Sequence, residues 1–221
     1  MFAKALWAVI PMAATMIAAP ALAQEEPPAM TSEVLGSYVI PEVNQGIGVD
    51  AEHFYAIDNT SIAKYTKDTR ERVALEDYED IGAIHFDSAA VIDGKIYVAH
   101  SNYPVWPMTS SLEIFDAASL DHLESHSFGI QIGSFTGSIR RRTALGGGFA
   151  NYNRVFDKSP IAYGNKYNTR VVKFDADWQV DQAYVIPDIV VEKFDDMSNS
   201  GGSGVPMATS ILAATIRPKP M

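Results

Sequence analysis

The chain is predicted to be all-β, an incomplete β-propeller of about three to four blades. Three observations predict it. First, a unit of strand, tight turn and strand recurs, each copy followed by a strand closing on an aromatic residue: Tyr65, Phe115 and Phe174. Matched positions on the preceding strand are Tyr55, Tyr97 and Ala150, so copies recur at intervals of roughly 40–60 residues, close to the period of four-stranded propeller blades. Second, only 188–194 (DIVVEKF) suits a turn or two of helix. Third, the chain has no cysteine, so its stability must come from a core and backbone ladders rather than from disulfides. A β-sandwich also accommodates short alternating strands, but it explains the repeat less well.

Taken in order, residues 1–23 have the pattern of an export signal. Lys4 supplies a positive start, 5–19 an apolar run, and Ala21-Leu22-Ala23 a small-x-small cleavage site. The expected location is therefore the periplasm or outside the cell, with no membrane contact after cleavage. Residues 24–36 are a polar leader, and 37–203 carry the partial propeller. In its first unit, strands 46–49 and 53–57 flank a turn at Asp50, and 61–65 follows Asp58-Asn59. The acidic stretch 73–80 suits a loop or a short outer strand. The clearest unit is HFDSAAVIDGKIYVAHSNYPVWP, residues 85–107. It reads as an outer strand, a turn at Asp93-Gly94 and a second strand, 95–100, ending in a polar corner; 112–115 follows. The third unit has 148–153 and 170–174, with the variable excess in loops 102–110 and 153–168.

With 221 residues, 47% of them hydrophobic and 20% charged, the composition is that of one globular domain. The net charge of −10 argues against a nucleic-acid groove or an anionic membrane surface. A small-molecule ligand is the expected partner; oligomeric state and cofactor stay open.

Candidate site residues come from polar corners at strand ends, where propeller strands and loops converge on the central tunnel. His85 and Asp87 stand two apart, as do His100 and Asn102, and alternate residues of a strand share a face. His85, Asp87 and His100 are therefore the catalytic candidates. Asn44, Gln45, Asn102, Tyr103, Asn151, Tyr152 and Asn199 are the candidates for holding substrate by hydrogen bonds. The competing reading is that these Asn, Ser and His side chains serve turn backbone groups, with Tyr103, Trp106 and Trp178 as packing anchors. No HExxH or histidine-cluster spacing supports zinc and no acidic loop supports calcium, so no metal is assigned. Gly146-Gly147-Gly148 lacks the Lys-Ser/Thr of a phosphate loop.

Residues 85–138 and 149–203 resemble a family of exported bacterial propeller proteins labelled cycloisomerase-like. The likeness rests on the segment 85–129, on HSNYPVWPMTSS within it, and on GSFTGS, FANYN, YGNKYNTRVVKFDADWQ and SNSGG. It implies a six-bladed propeller in the full-length family, and a lyase or isomerase acting on a small lactone or organic acid, with His100 or His85 as general acid/base. A non-catalytic propeller binding a ligand or protein, or a fragment without function, is the alternative. After Ser203 the family continues with Trp-Gly-Pro-Asp-Gly and a further strand, whereas this chain reads GVPMATSILAATIRPKPM. Suitable codons for those residues, read in the neighbouring frame, restore the continuation. Residues 204–221 are thus expected to be a frameshift-derived tail that leaves the ring unclosed; 140–147 (RRRTALGG) departs in a similar way.

Overall fold

In the computed structural model the described residues are 33, 36–130, 132–141, 144–157, 159–204 and 210–214. The chain divides into Met1–Tyr38 and Val39–Met221. Residues 33 and 36–38, the described part of the first unit, carry no helix or strand. The expected export signal, most of the leader and most of the tail lie outside the described residues.

The second unit is a series of antiparallel blades. β1 (Gly46–Val49), β2 (His53–Ile57), β3 (Ser61–Thr66) and β4 (Arg72–Asp77) form one four-stranded sheet in chain order. β5 (His85–Ile92), β6 (Lys95–Ser101), β7 (Ser110–Asp116) and β8 (His122–Gly129) form the second. β9 (Ser134–Arg141), β10 (Ala144–Ala150), β11 (Arg170–Phe174) and β12 (Val180–Val185) form the third. A two-stranded sheet follows, β13 (Asn199–Gly204) with β14 (Ser210–Ala214), so part of the expected tail pairs as a strand. Before it come the short helix α1 (Asp188–Val191) and a 3₁₀ turn over Glu192–Phe194, where the sequence predicts helix.

The blade repeat read from the aromatics is a repeat of geometry. Tyr65, Phe115 and Phe174 each sit at a bulge and pair with the first residue of the last strand in their blade: Arg72, His122 and Val180. The turn after each contains one non-glycine residue in the left-handed region, Arg70, Leu120 or Trp178, with φ of 60°, 67° and 60°. Asp116 and Asp175 stabilise two of these turns: Asp116 Oδ1 accepts from the amides of Ala118 and Ser119, and Asp175 Oδ1 from those of Asp177 and Gln179. One alignment is corrected. Tyr55 faces Lys64 and Tyr97 faces Ile114, but the residue facing Lys173 is Gly146 rather than Ala150. The glycine run in β10 has no aromatic to mark the register.

A second correction concerns β5, expected to be an outer strand. It is the innermost strand of its blade, packed against β1 and β9, while β9 also packs against β13. The outer strands are β4, β8 and β12, and their side chains are mostly exposed.

Alternation along the strands fills the spaces between blades. Tyr55, Ile57 and Ile62 from the first blade meet Phe86, Ile96, Val98 and Phe115 from the second. Phe115, fully buried, lies 4.5 Å from the Tyr78 ring, and burying such a side chain contributes about 1.5–3 kcal/mol. Ala99, Leu112 and Ile114 on the second blade meet Phe135, Phe149, Val172 and Phe174 on the third. At the end where the first strands begin, polar contacts stitch each seam. Phe86 N donates to Asn59 O at 2.8 Å. Ser134 Oγ donates to Ser101 Oγ at 2.9 Å, and Thr169 Oγ1 bonds Ser198 Oγ.

Candidate functional site

Antiparallel pairing places the start of each first strand beside the end of the second: His85 is paired with Ser101 and Ser134 with Ala150. Gln45 precedes β1, His85 opens β5 and Asn199 opens β13. Asn102-Tyr103 and Asn151-Tyr152 directly follow β6 and β10. The residues singled out from sequence therefore gather at one end of the blades. Their side chains, however, divide into two groups.

The amides hold loops. Asn44 Nδ2 donates to Pro41 O at 3.3 Å. Asn102 bridges its own loop, donating to Pro107 O and accepting from Thr109 N, each at 2.8 Å. Asn151 Nδ2 donates to Ile132 O and Asn168 O at 3.2 and 3.3 Å. Asn199 Nδ2 donates to Thr136 Oγ1 at 2.6 Å. His100 is also occupied on both ring nitrogens. Its Nε2 accepts from Ile84 N at 3.1 Å, which makes Nδ1 the protonated nitrogen; that N–H donates to Ser111 Oγ at 2.8 Å. Ser111 in turn donates to Glu113 Oε1 at 2.6 Å. Burial lowers the His100 pKa, and the nearby Glu113 charge opposes that shift.

The second group is His85, Asp87, Tyr103 and Tyr152, with Tyr163 added. The His85 ring lies 4.9 Å from that of Tyr103, which meets Tyr152 and Tyr163 edge-on at 5.8 and 5.7 Å. Tyr152 and Tyr163 stack at 5.7 Å. Asp87 is 5% exposed, and its Oδ1 has no hydrogen-bond partner among the described residues; the same holds for Tyr163 Oη. Burial pushes the Asp87 carboxyl well above its ordinary range, only partly offset by the Ser88 amide. Tyr152 is raised too, by its own burial and then by the Asp87 charge. The expected pairing of His85 with Asp87 by strand alternation does not carry through β5, because a register shift lies between Phe86 and Ala89.

Tyr163 was not legible as a site residue. It falls in the loop 153–168, which has no periodicity, and tertiary packing in a cluster with Met108, Tyr152 and Met197, flanked by Tyr103 and Phe156, buries it completely. Asn59, between β2 and β3, is not among the sequence-derived candidates. Its Oδ1 accepts from Gln45 Nε2 at 2.9 Å and lies 2.7 Å from His85 Nδ1.

Burial, then the neighbouring His100, lowers the His85 pKa from 6.5 to about 4. A histidine that is neutral when folded and protonated when unfolded makes stability fall as pH drops from 6.5 toward 4. Thermal melts are expected to show that decline. In an NMR titration the His85 ring signals are expected to stay unshifted between about pH 8 and pH 5.5. A midpoint near 6.5 for His85 would refute the assignment.

No family model and no curated protein matches the chain. Solved structures to which it is similar include the following three. U3-55K is 12% identical with a TM-score of 0.48, over 80% of this chain and 47% of that one. The RRP9 WD40 repeats are 13% identical with a TM-score of 0.47, over 80% and 46%. Hydrazine synthase of Kuenenia stuttgartiensis is 12% identical with a TM-score of 0.36, over 70% and 53%. The chain spans about half the length of each. Its description as propeller blades rests on the sheet order and the repeated bulge and turn.

Proposed function

We propose that the blade ends carrying His85, Asp87, Tyr103, Tyr152 and Tyr163 bind a small carbonyl-bearing molecule, of the lactone or organic-acid class that the resemblance to cycloisomerase-like proteins implies. The observation carrying this reading is the buried Asp87 Oδ1, which makes no hydrogen bond among the described residues, together with the buried Tyr163 Oη, which meets only Ser134. Leaving such a group unsatisfied costs about 1–3 kcal/mol, and orphaned groups in folded proteins point to a missing partner. A carboxyl held protonated donates a hydrogen bond, as does a phenol. Both therefore suit a ligand carbonyl or carboxyl oxygen, and an apolar site that keeps an acid neutral is a known way to stabilise charge developing on such an oxygen.

In this reading His85, neutral at physiological pH, is the proton acceptor, and Asp87 is the acid that hydrogen-bonds the ligand oxygen. Acting on the ligand from separate positions, they supply the acid and the base of a lyase or isomerase. His100, with both nitrogens occupied, positions the loop at Ile84 beside them. A binding propeller without turnover uses the same contacts, and a ligand panel separates the two readings.

The test is a thermal-shift and turnover screen against lactones and hydroxy acids, with Tyr163→Phe alongside. The Tyr163 hydroxyl lies beside Ser134, whose side chain only partly offsets the effect of burial on its pKa, and it makes no full hydrogen bond among the described residues, so removing it is expected to change the unliganded melting temperature little. Ligand affinity is expected to fall about tenfold, the worth of one good hydrogen bond. Wild-type affinity in Tyr163→Phe would sink the role given to Tyr163, and silence across the whole panel would sink the ligand class.

A further inference from the structure

We infer that Asn59 is a positioning residue that reaches across the seam between the first two blades and fixes the tautomer of His85. The inference rests on reading His85 as the proton acceptor of the site. Asn59 has two separable attachments to β5. Its backbone carbonyl accepts from Phe86 N at 2.8 Å and holds the strand in place. Its side-chain Oδ1 lies 2.7 Å from His85 Nδ1 and accepts from Gln45 Nε2 at 2.9 Å. An amide oxygen only accepts, so the His85 nitrogen facing it must carry the hydrogen. That leaves Nε2 with its lone pair, and Nε2 makes no hydrogen bond among the described residues. In water the opposite tautomer of a histidine side chain is the more stable one, so the Asn59 contact works against the intrinsic preference. Fixing one ring nitrogen to orient the other is how second partners tune histidines at working sites.

The arrangement also gives a role to Gln45, a residue in a polar corner, whose Nε2 donates to Asn59 Oδ1. It holds the Asn59 amide so that oxygen, not nitrogen, faces His85. Asp58 Oδ1 accepts from Asn59 N at 2.8 Å and sets the turn itself. Substituting the Asn59 side chain therefore leaves both backbone contacts available, and the blade seam is expected to survive.

Nitrogen-15 NMR of the histidine rings reads the tautomer without any ligand. Wild type is expected to show His85 protonated at Nδ1 and not at Nε2. Asn59→Leu, close in size but without an acceptor, is expected to shift His85 toward the Nε2-protonated form while the amide spectrum stays that of the folded protein. Asn59→Asp keeps both hydrogen bonds, and its charge is expected to raise the proton affinity of His85 at least tenfold. The Asp variant carries the test should the Leu variant fail to fold. The inference is overturned by an Nε2-protonated ring in wild type, by a tautomer unchanged in Asn59→Leu, or by a His85 titration unmoved in Asn59→Asp. Absence of ligand binding with the tautomer behaving as described would remove the functional reading and leave the positioning role standing.

Discussion

Asp87→Asn is expected to make the protein more stable at neutral pH, and the gain should grow as pH rises from about 4. In the unfolded chain this carboxyl ionises near its ordinary 3.8; in the folded protein burial holds the proton to well above that value. The folded state thus binds more protons across the interval. Stability from this group is full below 3.8 and falls as pH rises toward the folded pKa. The loss grows with each pH unit across that interval. Asparagine keeps the shape and a donor without the titration. Paired melts of wild type and variant at several pH values give the result, since a difference that does not change with pH means the folded carboxyl is ionised. His85 acts in the opposite sense, removing stability as pH falls below 6.5, so the variant is expected to retain only an acid limb. Its amide still hydrogen-bonds a carbonyl but cannot deliver a proton. On the proposed acid role of Asp87, ligand binding should largely persist while any turnover falls about 10²–10⁴-fold. A site residue whose removal stabilises the fold is what a binding group kept at the expense of stability looks like.

The strands that sequence reading found are those with a buried face. HFYAI of β2 sends Tyr55 and Ile57 toward the second blade and Ala56 to the opposite side, so its pattern is readable. The strands it did not mark include β8 and β12, which are mostly exposed, but also β13, β14 and β9, whose Ser134, Phe135 and Thr136 are buried. All six residues of VDQAYV in β12 are exposed, so no alternation of buried and exposed positions selects its residues. The turns were more legible than the outer strands because Asp50 and Asp93-Gly94 answer to local geometry alone. The site divided along the same line. Sequence placed the polar corners together at one end of the blades, since corners follow from strand boundaries. Whether a corner asparagine faces a ligand or its own loop depends on which carbonyls lie within reach. For Asn102 and Asn151 those are Pro107 O and the pair Ile132 O and Asn168 O. Asp87 stands out only in three dimensions, by burial without a partner, and neither property has a signature in FDSAA.

Gly133→Ala is expected to cause a large loss of stability, concentrated at the seam beside the site. Gly133 has φ of 139°, and a Cβ there would lie 2.6 Å from Asn151 Nδ2 and 2.7 Å from Ala150 O. Neither neighbour has room to yield. Both Asn151 amide hydrogens are committed to Ile132 O and Asn168 O, and Ala150 belongs to the ladder between β9 and β10. Backbone strain of about 1–3 kcal/mol adds to overpacking of about 1–3 kcal/mol. For a domain of this size a total near 4 kcal/mol lowers Tm by about 8–16 °C. Gly129 is the control, because its φ is +65° but nothing lies within 4 Å of a Cβ built there, so Gly129→Ala carries the backbone strain alone. Equal losses from the two substitutions would mean that the contact with Asn151 does not constrain the seam. The damage should reach the tyrosines, because Gly133 O accepts from Ser110 Oγ and the next residue, Ser134, bonds Ser101 at the foot of the loop carrying Tyr103. Tyrosine fluorescence is therefore expected to change in Gly133→Ala below its melting temperature and to stay as in wild type in Gly129→Ala. That outcome would tie the ordering of Tyr103, Tyr152 and Tyr163 to one glycine at the junction of two blades.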